Sequence, residues 1–198
     1  MTTTVTARNR AKAQRTDAIL VAAAELFGAR GYSSVSLEDI GAAVGISGPA
    51  VYRHFAGKQA LLGALLIGVS EDLVAGGTAV VQGTADERTR MAMLVDFHVD
   101  FALRNSDVIR VQDRDLAHLA EESRSDVRRL QRAYVGLWID ALSALVAADR
   151  DELRLRVQAC FGLLNSTPHS TSAALRTRAD TSRVLAAMAL AALTAPHG

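Results

Sequence analysis

Between Gly31 and Gly57 this 198-residue chain has room for only two short helices, and that limit shapes its whole N-terminal end. Ahead of Gly31, the residues Ile19, Ala22, Ala23, Leu26 and Phe27 recur at the spacing of one helix face. A helix is therefore expected over about 11–30, closed by the glycine. Ser36 then stands as an N-cap before LEDIGAAV, with Glu38 and Asp39 in the first turn facing the positive helix end. Ile40 and Val44 point inward, and Gly45 stops this helix after two turns. Ser47 can cap a third two-turn helix, GPAVYRHF, with Pro49 where a missing N–H costs nothing and Val51 and Phe55 as its core residues. Gly57 ends it, and Lys58 opens a longer fourth helix. Two short helices joined by a glycine-bearing turn and packed on a longer one form a helix-turn-helix. Gly41 marks the point where they cross too closely for a larger side chain.

The rest of the chain reads as further amphipathic helices, over about 87–104, 107–120, 125–148, 151–165 and 181–194. Gly76, Gly77 and Gly83 are expected to separate the fourth helix from the next. Alanine and leucine abound and β-branched runs are few, so the fold class is all-α. Three parts are expected: a disordered basic arm over 1–10, a helix-turn-helix domain over 11–57 and a helical ligand-binding and dimerisation domain over 58–198. The lone Cys160 excludes an internal disulfide framework and any multi-cysteine metal site, and it reads as a small buried hydrophobe. The apolar tail VLAAMALAALTA is too short to span a membrane, no other segment is expected to, and Glu25 interrupts the one signal-like run. A cytoplasmic protein is expected. Residues 1–58 hold seven Lys and Arg against four Asp and Glu, a weak footprint of a polyanionic partner.

Residues 18–62, AILVAAAELFGARGYSSVSLEDIGAAVGISGPAVYRHFAGKQALL, resemble the N-terminal domain of the TetR family of bacterial repressors. The resemblance rests on Phe27, Gly31-Tyr32, Ser36, Ile40, Gly45-Ile46-Ser47, Tyr52, His54-Phe55 and Lys58 in that order. It implies a dimeric repressor that binds a palindromic operator in double-stranded DNA and is released by a small effector. The third helix would lie in the major groove, with Ser47 and its helix start on phosphate, Pro49 and Ala50 on a thymine methyl, and Arg53 on a guanine or a phosphate. Gly48 belongs to this reading edge but lacks a side chain where the family often carries a base-reading group. The resemblance puts Tyr52, His54 and Lys58 on backbone phosphates. Ser36 could share its hydroxyl with a phosphate, and Arg8, Arg10 and Lys12 could reach a minor groove or the backbone.

In the second part, Met91, Leu94, Val95, Phe101 and Ala102 share a helix face with His98, and Tyr134, Leu137, Trp138, Ala141 and Leu145 form another stripe. An apolar pocket with a few polar anchors is expected, its candidates being Phe97, His98, Phe101, Arg110, Gln112, Tyr134 and Trp138. A hydrogen-bonded core histidine is the other reading of His98. The effector is expected to be largely apolar, with an acyl-CoA or fatty acyl compound as first guess. Asp96, His98 and Asp100 cannot all face one way on a helix, so no metal is expected, and no cofactor. The resemblance makes the last two helices a four-helix dimer interface, with Phe161, Leu164, Leu185, Met188 and Leu193 as candidates. No nucleophile-base pair or phosphate loop appears, so an enzyme is not expected. A small enzyme, and a helix bundle whose helix-turn-helix does not read DNA, remain the alternatives.

Overall fold

The computed structural model describes residues 7–196, and among them there are helices and no strand. Helix α1 (Ala7–Arg30) leads to the short α2 (Leu37–Ala43) and α3 (Gly48–Val51), then to α4 (Lys58–Gly83). There follow α5 (Glu87–Arg104), α6 (Ser106–Asp115), α7 (Glu121–Ser143) and α8 (Arg150–Asn165). Two single turns, α9 (Thr167–Ser170) and α10 (Ala173–Arg176), precede α11 (Thr181–Leu193).

Two separate apolar cores hold this arrangement. The first gathers Ile19, Ala23 and Phe27 of α1, Ile40 of α2 and Val51 and Phe55 around α3. Leu61, Leu62, Leu65 and Leu66 of α4 close it, with Val108 and Val111 of α6. Each such leucine contributes about 1.5–3 kcal/mol on burial, so α4 supplies a large share of the packing behind the helix-turn-helix. A division at 57/58 falls inside this core. The second core joins Met91, Leu94 and Val95 of α5 with Trp138 and Leu142 of α7, Val157 and Cys160 of α8 and Ala189 and Leu193 of α11.

Several sequence expectations are corrected here. The helix expected to begin after a disordered arm already runs from Ala7, so residues 7–10 are helical. The arm's first six residues, and the side chain of Arg8, lie outside the described residues. Gly76 and Gly77 do not end α4, which runs through both to Gly83. A Cβ at Gly76 would stand 2.3 Å from Cζ of Phe97, and one at Gly77 2.8 Å from Cε2 of Tyr134. These glycines are notches for neighbouring rings, not breaks. The helix expected over 107–120 ends at Asp115 in a 3-10 turn, Leu116–His118, and the next begins at Glu121. Finally, α4 is long and apolar enough to cross a membrane by length and composition, which overturns the expectation that no segment is. In this fold its N-terminal half fills the first core instead.

Candidate nucleic-acid interface and ligand cavity

Ser36 begins α2 with a reciprocal cap. Its Oγ accepts from the Asp39 N–H at 3.0 Å, while the Asp39 carboxylate accepts from the Ser36 N–H at 2.8 Å and from its hydroxyl at 2.7 Å. Those bonds hold the Asp39 carboxyl below its usual range. They also commit the Ser36 proton, which corrects the expectation that this hydroxyl is shared with a phosphate. Gly45 turns the chain at a φ of 68°, a conformation open to glycine. At Gly41 a Cβ would meet the carbonyl oxygen of Ile46 at 2.8 Å, so the close crossing of the two short helices is real.

The third helix is shorter than expected, four residues followed by a tightened turn through Phe55. A helix so short has little dipole to offer an anion. Ser47 does not cap it with its side chain and is exposed. Ser47, Pro49, Tyr52 and Arg53 form an open edge, with Tyr52 56% exposed. Gly48 and Ala50 do not belong to it. Both are buried, and a Cβ on Gly48 would stand 2.9 Å from the Glu38 carboxylate. Arg10 and Lys12 are exposed on the first turns of α1, where a helix cannot thread a minor groove as a free arm would.

Two of the expected phosphate ligands are engaged within the protein. Lys58 Nζ donates to the carbonyl oxygens of Tyr32 at 2.9 Å and Val35 at 2.8 Å, and lies 4.4 Å from the centre of the Tyr32 ring. Burial raises the Tyr32 phenol above its usual range. Lys58 is therefore a clamp between α4 and the loop before α2. His54 Nδ1 lies 2.9 Å from Oγ1 of Thr16, whose hydroxyl donates to the Lys12 carbonyl at 3.0 Å. With that single proton spent, the imidazole Nδ1–H donates to Thr16. Thr16 was invisible as a partner in the sequence because it lies 38 residues away.

Below this edge, a cavity of about 270 Å³ opens between α4, α5, α6, α7 and α8. Of the expected lining residues, His98, Phe101, Gln112 and Tyr134 line it. Phe97, Arg110 and Trp138 do not. Phe97 fills the notch at Gly76. Arg110 donates to Asp107 at 3.1 Å and to the Pro168 carbonyl at 2.7 Å. Trp138 sits behind the wall, its ring edge-on to Phe161 at 4.9 Å. Ser70, Leu73, Gln131, Phe161 and Asn165 complete much of the lining and were missed. Phe161 and Asn165 sit one helical turn apart, a spacing that could have signalled a shared face.

His98 anchors the cavity's polar part. It is 3% exposed, and burial pushes its imidazole down to about 4, so the ring is neutral near pH 7. Its Nε2 lies 3.1 Å from Oδ1 of Asn165 and therefore carries the proton. Nδ1, 3.3 Å from the Tyr134 hydroxyl, accepts. Burial also raises the Tyr134 phenol, which stays protonated. Asp96 and Asp100 are exposed on the opposite side of α5. Cys160 is buried in the second core, its thiol pushed up to about 12 by burial.

Helix α6 touches both places. Ile109, Gln112 and Asp113 line the cavity, while the next two residues grip the end of α1. Arg114 Nη2 donates to the Phe27 carbonyl, and buried Asp115 accepts from the Tyr32 N–H at 3.3 Å. Arg114 and Asp115 pair at 3.0 Å, which raises the Arg114 guanidinium.

Three of the expected dimer residues face inward instead. Leu164 and Leu193 are fully buried in the second core, and Phe161 lines the cavity. Leu185 is half-buried, and Met188 is 51% exposed. Val184 lies one turn before Met188 on α11, and Leu155 on α8 is also exposed.

These features define a helix-turn-helix protein with an exposed edge on its third helix and an internal cavity among α4–α8. Residues 19–65 match the bacterial regulatory proteins of the tetR family, and residues 84–169 match the tetracyclin repressor-like C-terminal domain. The chain belongs to the TetR family of transcriptional regulators and is not an enzyme. It is 33% identical over 98 residues to the HTH-type transcriptional activator FasR of Mycolicibacterium smegmatis, a match over 50% of this chain and 45% of that relative, so it spans under half of the relative's length. It is 26% identical over 157 residues to the HTH-type transcriptional repressor KstR2 of Rhodococcus jostii, covering 79% of this chain and 77% of that one. A TetR-family regulator from Bordetella parapertussis superposes with a TM-score of 0.80 at 25% identity, over 92% of this chain and 95% of that one. The regulator FadR from Bacillus subtilis in complex with stearoyl-CoA superposes with a TM-score of 0.71 at 16% identity, over 91% and 98%, a likeness of fold alone.

Proposed function

We propose that this chain is a homodimeric, cytoplasmic repressor that binds a palindromic operator and is released by a small, largely apolar effector held in the α4–α8 cavity. Residues up to about 57 would read DNA, and those from 58 onward would bind the effector and pair the protomers. The observation that carries the reading is the continuity of α6, whose residues Gln112 and Asp113 line the cavity while Arg114 and Asp115 hold the end of α1. An occupant that prefers a displaced α6 pulls on α1 and shifts the two reading edges out of register. Tyr52, Arg53, Ser47 and Pro49 supply the DNA contacts, with Arg10 and Lys12 adding charge along the backbone. The stearoyl-CoA bound by the Bacillus subtilis regulator makes acyl-CoA esters the first effectors to try.

The experiment is selection of bound duplexes from a random pool, then fluorescence anisotropy on the enriched site with acyl-CoA esters added. An enriched palindrome released by an ester is the expected result. Failure to enrich any sequence with a folded dimer would defeat the reading and favour the helix bundle that does not read DNA.

A further inference from the structure

A second hollow, of about 350 Å³, opens between α1, α4 and the corner that joins α5 to α6. Ser70 and Leu73 of α4 and Ile109 of α6 line the cavity already described, whereas their neighbours Val69, Asp72 and Val108 line this groove. The two spaces share helices without sharing a residue. The floor of the groove is apolar, from Leu20, Ala24, Leu65 and Val69, and Val21 at its edge is left 59% exposed. Its size falls in the range of small-molecule pockets, about 300–1,000 Å³.

Around that floor stand four carboxylates, Asp17, Glu25, Asp72 and Asp107, against one arginine, Arg104. Arg104 is drawn onto Asp100 at 2.8 Å, and Asp107 holds Arg110 at 3.1 Å. The carboxylates of Asp17, Glu25 and Asp72 have no hydrogen bond or ion pair among the described residues. A chain whose net charge is +1 thus gathers uncompensated negative charge at one apolar hollow. Such walls focus the field and favour a cation.

Gly68 adds an independent observation. A glycine inside a helix costs stability, and close packing accounts for it elsewhere in α4. At Gly63, Gly76 and Gly77 a Cβ would stand under 3.0 Å from a neighbouring side chain. At Gly68, which lines the groove, a Cβ would meet nothing within 4 Å. Packing within the protomer does not require this glycine. Its effect is to leave the groove unfilled.

We infer that the α1–α4 groove is a second ligand site, which takes a small organic cation. The apolar body of the ligand covers Leu20, Val21 and Val69, and its charge lies among Asp17, Glu25 and Asp72. The site lies apart from the effector cavity and does not depend on the reading of it.

The test is calorimetric titration of the full-length protein with octyltrimethylammonium, using 1-octanol and octyl sulfate as its neutral and anionic counterparts, all below micelle-forming concentrations. The cation should bind roughly tenfold more tightly than either counterpart, and more weakly as salt rises. Asp17→Asn and Asp72→Asn, both at exposed positions, should each weaken it roughly two- to fivefold. Gly68→Leu, whose side chain fills the hollow, should abolish it, and the two Asn variants keep the test independent of how well that protein folds. A cation that binds no better than its counterparts overturns the site. So does a preference that survives all three substitutions, which would move the cation to Asp113 in the cavity. Sedimentation velocity of Gly68→Leu gives the remaining outcome: a fall in association state would make the groove a contact between copies and defeat the ligand.

Discussion

Lys58 and Tyr32 are joined twice, by a hydrogen bond from Nζ to the Tyr32 carbonyl at 2.9 Å and by the ammonium lying 4.4 Å from its ring centre. A residue that reads in sequence as a phosphate ligand is spent on tying α4 to the loop before α2. Lys58→Met should lower stability by about 1–2 kcal/mol, after allowing for partial exposure, because two carbonyls lose a charged donor. The melting temperature should drop by roughly 2–8 °C. An unchanged melt with weakened DNA binding would return Lys58 to the interface.

Tyr52 and Arg53 are the exposed side chains best placed to touch DNA. Tyr52→Phe should weaken operator binding with unchanged circular dichroism. Arg53→Ala should cost about 1–3 kcal/mol. If Arg53 reads a base, the loss concentrates on one operator position; if it holds a phosphate, the loss is uniform and the salt slope falls. Full affinity in both variants would remove this edge from the interface.

Gly76 faces the Phe97 ring. Gly76→Ala gains helix propensity but forces the ring aside, at a cost of about 1–3 kcal/mol. In a Phe97→Ala background that cost should disappear, leaving the propensity gain. Additive effects in a double-mutant cycle would mean the notch is not what selects the glycine.

His98 ties stability to acid. Its pKa falls from 6.5 to about 4 on folding, so the unfolded chain binds more protons between those values. Stability is fully present above about 6.5 and is lost as the pH falls toward 4, at up to about 1.4 kcal/mol per pH unit. His98→Gln, which keeps an N–H for Asn165, should flatten the acid side of the stability profile. Parallel profiles for the two proteins would show that His98 is already protonated when folded.

The outward face of α11 carries Val184 and Met188 one turn apart. Met188→Glu should shift the protein from dimer to monomer in sedimentation velocity at micromolar concentration. A wild type that sediments as a monomer would overturn the pairing itself.

The helix-turn-helix scaffold was legible in the sequence because its signals are local: a capped helix start at Ser36, a glycine turn at Gly45, and core residues Ile40, Val51 and Phe55 at helical spacing. The roles of Lys58 and His54 were not, because their partners Val35 and Thr16 lie tens of residues away and only folding brings them near. Gly76 and Gly77 misled for a related reason. In sequence a glycine pair is a break; beside Phe97 and Tyr134 it is the space two rings need. His98 could be placed on an inward face from periodicity, whereas Phe161 and Leu164 could not be told apart, since both are apolar and only their facing differs.

The two cores share the helices α4 and α7 but not one buried residue. Substitutions in the second core can therefore accumulate without touching the buried residues that pack behind Tyr52 and Arg53. A lineage carrying this scaffold can change what it senses while keeping the address it recognises.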